Sequence, residues 1–214
     1  MDRSRLEAFS DGVFAVAITL LALNLPAAVH GPSTLLYQLD ERWATFLAYL
    51  ISFFMIGIVW VNHHVLVRSI SAVDRTLLFL NLLLLLFVVL IPWATATEAA
   101  YFPAGGPDAR FAMTLYAGVF FGMSAGFGAI FEWTLHGRRV DQPLPPDKHW
   151  AARTRFVGGG IVYLIAMAVA QFNAVASFVI IALVAVYYIV ERTPGAYKSA
   201  GADSSADPGT SDGV

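Results

Sequence analysis

Six apolar stretches limit what this chain can fold into. They run over about 6–25, 43–67, 77–97, 111–135, 156–171 and 174–190. A helix needs about 20 apolar residues to cross a bilayer, since each adds 1.5 Å and the hydrocarbon is about 30 Å thick. Only Phe172 and Asn173 part the last two stretches. They require a tight hairpin, with Gln171 and Asn173 facing water. The chain is 58% hydrophobic and 13% charged, whereas a soluble domain carries about 25% charged residues. So few charges cannot cover a globular surface. The expected fold is all-α: a polytopic membrane protein with six transmembrane helices in a lipid bilayer.

The loops set the orientation. Arg3 and Arg5, then Arg68 and Arg75, then Arg138, Arg139, Lys148, Arg153 and Arg155, and finally Arg192 and Lys198 fall on one side if the spans alternate. The other side has only Arg42 and Arg110. The positive-inside rule then places both termini in the cytoplasm. The expected location is the cell's inner (plasma) membrane. Arg3 and Arg5 ahead of an apolar run imitate a secretory leader. Glu7 and Asp11 acidify that entry and five more apolar segments follow, so the first stretch reads as a retained helix. Residues 1–192 form one six-helix unit. Residues 193–214 lack an apolar period and read as a disordered tail. Pro103, Gly105, Gly106 and Pro107 suggest an outer loop, and Pro143, Pro145 and Pro146 a stiff, extended inner connection. The chain has no cysteine, which excludes thiolate chemistry and disulfides. Its sparse basic residues give no footprint for nucleic acid, and no soluble substrate is implied.

The first stretch carries a pattern that a lone lipid-embedded helix does not need. From Val13 to Leu23 the only hydroxyl is Thr19. Val16, Thr19 and Leu23 are spaced i, i+3, i+7, which puts them on one helical face. In a ring of such helices that face would line a narrow, mostly dry pore with one polar ring.

Polar groups inside spans are costly, so each is a candidate site. Asp11 lies about two turns inside Arg5, and His63 and His64 about one turn inside Arg68 on a helix running the opposite way. Ser10, Asp11 and one of these histidines therefore meet at similar depth. Structural glue between helices is the default reading; a part in permeation or proton sensing is the sharper one. His63 and His64 are adjacent and point about 100° apart, so they do not chelate one metal as an i, i+4 pair would. Glu132 lies near the same edge. Asn62 and Asn81 can bond across helices. Gly118, Gly122 and Gly126 form a doubled GxxxG, read as close helix packing. Gly158, Gly159 and Gly160 would loosen the start of the fifth span.

Arg5-x-x-x-Phe9-Ser10-Asp11 resembles the RxxxFSD signature of the endolysosomal potassium channel, transmembrane protein 175, and its prokaryotic homologues. The run Gly12 to Leu21 and the neighbourhood Trp60-x-x-x-His64 are similar to the prokaryotic form. The resemblance implies a potassium-selective cation channel, not an enzyme, without a glycine-rich carbonyl filter. It also implies a homotetramer whose first helices line the pore at Val16, Thr19 and Leu23. Val16 stands where the family often has isoleucine or leucine. Arg5, Phe9, Ser10, Asp11 and His64 would then stabilise the bundle from the cytoplasmic side. Four Thr19 hydroxyls could offer oxygens to a partly dehydrated ion. No span carries an arginine series, so no voltage sensor is expected. The expectation is a potassium leak channel with no cofactor and no metal site, potassium being the permeant ion. The alternative is an ion-coupled transporter or a membrane-embedded metallohydrolase using Asp11, His63, His64 and Glu132.

Overall fold

The structure is a computed structural model. It describes residues 2–27, 33–136 and 146–190, the side chains of 136 and 146–157 excepted. Among these residues there are seven α-helices: α1 Arg3–Leu23, α2 Leu35–Glu41, α3 Trp43–Arg68, α4 Arg75–Tyr101, α5 Gly106–His136, α6 Pro146–Ala170 and α7 Ala174–Val190. α4 is the hub and packs against α1, α3 and α5; α5 carries α6 and α7, and α7 also touches α3.

Local chemistry sets several ends. Asp74 caps α4 by accepting from the Leu77 amide at 2.8 Å, and Thr34 caps α2 through the Tyr37 amide at 3.3 Å. Both satisfy an amide that the first helical turn leaves orphaned. Asn173 accepts from the Ala176 amide at 3.1 Å and starts α7. The expected hairpin there is present: Gln171, Phe172 and Asn173 alone join α6 to α7, and all three are exposed.

Several expected bounds move. Helix α1 covers 3–23 rather than 6–25, and α4 runs on to Tyr101 rather than stopping near 97. The expected outer loop at 103–107 is a single 3-10 turn, Phe102–Ala104, followed directly by α5. Gly105 and Gly106 turn the chain there at φ 66° and 75°, where a side chain would be strained. Pro146 is not part of an extended connection. It opens α6, a position where its fixed φ and missing N–H cost little. Pro143, Pro145 and the tail 193–214 lie outside the described residues. Pro92 sits inside α4 without ending it. Its carbonyl accepts from Asn24 Nδ2 of α1 at 3.2 Å.

Four helices, α1, α3, α4 with its 3-10 extension, and α5, are long and apolar enough to cross a membrane. The apolar part of α6, Gly158–Ala170, and α7, Ala174–Val190, are shorter. At 1.5 Å per residue the 17 residues of α7 span about 26 Å.

The glycines of α5 let α4 approach closely. A Cβ on Gly126 would stand 3.0 Å from the Leu84 Cα of α4, and Gly122 lies beneath the Phe87 ring. Gly118 faces only the flexible end of Met167. In the middle of α6, Gly159 gives room to the Tyr188 hydroxyl; the helix is continuous there rather than loosened.

Candidate functional site

Helix α1 has a covered and an uncovered side. Leu6, Ser10, Phe14, Ala17 and Leu21 are buried against the rest of the subunit. Val16 and Leu23 remain 55% and 79% exposed, and Phe9, Gly12 and Thr19 are exposed beside them. Thr19 Oγ1 donates to the Val16 carbonyl at 2.8 Å. Its proton is thus used within the helix, and its lone pairs stay available. Leu21, two residues on, is only 1% exposed.

The covered side meets α3 in antiparallel register. Arg3 Nη1 donates to the Arg68 carbonyl at 3.0 Å. One turn further along α1, Glu7 Oε1 lies 3.0 Å from His64 Nδ1 and accepts from Arg68 Nε at 3.0 Å. Another turn on, Asp11 Oδ1 accepts from Trp60 Nε1 at 2.8 Å. Glu7 and Asp11 are i, i+4 on one helix, as are Trp60 and His64 on the other, so each pair faces the other across the seam. The Trp60 and His64 rings sit 6.0 Å apart.

A second, buried junction joins α1, α3 and α4. Asn81 Nδ2 donates to Ser10 Oγ at 3.0 Å, and Ser10 Oγ donates to the Leu6 carbonyl at 2.9 Å. His63 Nε2 lies 2.8 Å from Asn81 Oδ1. Taking the amide as assigned, Nε2 carries the proton and donates. His63 Nδ1 has no hydrogen-bond partner among the described residues. The Phe14 ring packs 5.4 Å from the imidazole.

These contacts correct the pairing expected from depth alone. Asp11 bonds to Trp60 and not to a histidine. Arg5 stays exposed, with no hydrogen bond or ion pair to Asp11 or His64 among the described residues. Ser10 reaches His63 through Asn81. Of the possible metal or hydrolase ligands, Asp11 and His64 come together, but His63 turns to Asn81 and the third group is Glu7 rather than Glu132. Glu7 was legible as the i−4 neighbour of Asp11. At the other end of the bundle Ser52 Oγ lies 2.7 Å from Thr95 Oγ1 and 2.8 Å from the Tyr116 hydroxyl. Glu98, one turn from Thr95, is 1% exposed, and neither carboxyl oxygen has a partner among the described residues. Nothing in the sequence spacing marks that layer.

The family model described as the endosomal/lysosomal potassium channel TMEM175 matches residues 5–92. This range holds the α1 face and both junctions apart from Arg3. A protein of Streptomyces collinus named as a potassium channel is 37% identical over 205 residues, covering 95% of this chain and 99% of the relative. One of Chamaesiphon minutus, also named as a potassium channel, is 34% identical over 194 residues, covering 87% and 93%. The crystal structure of a lysosomal potassium-selective channel TMEM175 homolog from Chamaesiphon minutus superposes with a TM-score of 0.77 at 32% identity, covering 87% of this chain and 96% of that one. These relatives are named as channels and not as enzymes. The chain belongs to the TMEM175 family.

Proposed function

We propose that this chain is a potassium-selective leak channel of the bacterial inner membrane. Four copies surround one pore, each contributes six spans, and both termini lie in the cytoplasm. Helix α1 lines the path with Val16, Thr19 and Leu23. The observation that carries the reading is the two-sidedness of α1. Its buried side is committed to the subunit, and the opposite side presents two aliphatic side chains around one hydroxyl. One uncovered helix face cannot enclose a path, but several around an axis can. A ring of Thr19 oxygens with free lone pairs would replace part of the ion's hydration shell, and the aliphatic rings would set the bore.

The Arg3, Glu7, Asp11, Trp60, His64 and Arg68 seam and the Ser10–Asn81–His63 junction fix the tilt of α1 against the bundle. They are structural supports in this reading. The transporter or hydrolase alternative is not favoured. Its four ligands do not assemble as a set, and the family relatives are named as channels. Purified protein in liposomes should pass potassium down its gradient with no second ion gradient and no substrate. Flux that needs either one would refute the channel reading.

A further inference from the structure

The seam between α1 and α3 brings together donors that bind metal ions. One ligand atom each from Glu7, Asp11 and His64 lies within 4.8 Å of the others. The set combines one imidazole nitrogen with two carboxylates, from two different helices. His64 Nδ1 is buried, and although it lies 3.0 Å from Glu7 Oε1, it makes no aligned hydrogen bond. An imidazole nitrogen and a carboxylate oxygen at that distance share a proton or a metal ion, and a bound cation would take the place of the proton between them.

We propose that Glu7, Asp11 and His64 form a binding site for one divalent transition-metal ion of the zinc class, tying the N-terminal end of α1 to α3. Zinc bonds to imidazole nitrogen and carboxylate oxygen at about 2.0–2.2 Å, with tetrahedral ligands about 3.4 Å apart. Donors that already lie within 4.8 Å reach that geometry by small side-chain rotations. Water fills the fourth position. Mixed nitrogen and oxygen donors favour zinc, nickel or copper over the all-oxygen preference of magnesium and calcium. The ion's competitor is also visible. Arg68 Nε donates to the same Glu7 oxygen, and the Arg68 side chain is 64% exposed, free to swing away when a metal arrives. The site stands on the α1–α3 geometry and does not depend on what the uncovered face of α1 lines.

The test is metal titration of the tag-free, full-length protein in detergent, by calorimetry with zinc and by the visible absorption of cobalt(II). The wild type should bind one ion per chain, with a cobalt spectrum of low coordination number, and zinc should raise its melting temperature. His64→Gln and Glu7→Gln should each weaken binding at least about tenfold and abolish the cobalt band. Arg68→Gln should tighten binding severalfold, an effect that misfolding cannot produce. Undiminished binding by a His64→Gln protein that melts cooperatively would overturn the site. So would an Arg68→Gln protein that binds no more tightly than the wild type.

Discussion

Asn81 is the residue on which the buried junction turns, since it donates to Ser10 and accepts from His63 at once. Removing it leaves the buried His63 Nε2 without its partner and Ser10 with only its bond to the Leu6 carbonyl, at a cost of about 1–3 kcal/mol. Asn81→Ala should therefore lower the melting temperature of the detergent-solubilised protein. The Asn81→Ala, Ser10→Ala double mutant should lose less than the sum of the two. Strict additivity would show that the two residues act separately. Glu98 is the opposite case. A buried carboxyl without a partner carries its desolvation cost uncompensated, so Glu98→Met, close in volume, should leave the fold intact or stabilise it by about 1–3 kcal/mol. Failure to fold would mean that the Glu98 carboxyl is satisfied in place, as by a buried water. At this scale the sequence was half legible. Spacing and depth bring Ser10, Asp11, His63 and His64 to one level, but depth does not say which donors meet. Those pairings follow the rotation of each helix, which the i, i+4 couples Glu7–Asp11 and Trp60–His64 encode and which depth arithmetic ignores.

The apolar runs locate the helices to within about five residues, except that α6 starts ten residues before its apolar run, because hydropathy and length are all that a span requires. The errors lie where short-range chemistry overrides composition. The Pro and Gly run at 103–107 reads as a loop, yet one 3-10 turn and two left-handed glycines suffice to reverse the chain. Helix α2 has seven residues and no apolar period, so only its Thr34 cap announces it. The glycine face of α5 was readable as close packing, but its partner was not. The structure identifies that partner as α4 and grades the three positions. Gly126→Ala would press a methyl group against the Leu84 backbone and should cost about 1–3 kcal/mol. Gly118→Ala meets only the end of Met167 and should leave thermal unfolding nearly unchanged. Equal effects at both positions would mean that α4 and α5 do not pack at the backbone distance described.

Assembly is the part of the molecule that one chain's sequence and one subunit's structure leave to experiment. The subunit accounts for the buried side of α1 and leaves the other side bare. If that side closes a ring, crosslinking in mild detergent should stop at four copies, and a conducting monomer would refute the ring. The central claim, that the Val16, Thr19 and Leu23 face meets the ion, is tested most directly by the potassium-to-sodium flux ratio in liposomes. Thr19→Val, Leu23→Ala and Leu21→Ala should be compared with the wild type. Thr19→Val keeps the shape and removes the oxygen, so its ratio should fall or its flux should stop. Leu23→Ala widens an aliphatic ring and should raise flux while weakening discrimination. Leu21 is buried on the opposite side, so Leu21→Ala should lower stability and leave the ratio of the surviving channels unchanged. The same ratio in all three variants would contradict the account, and the exposed face of α1 would then be ordinary lipid contact.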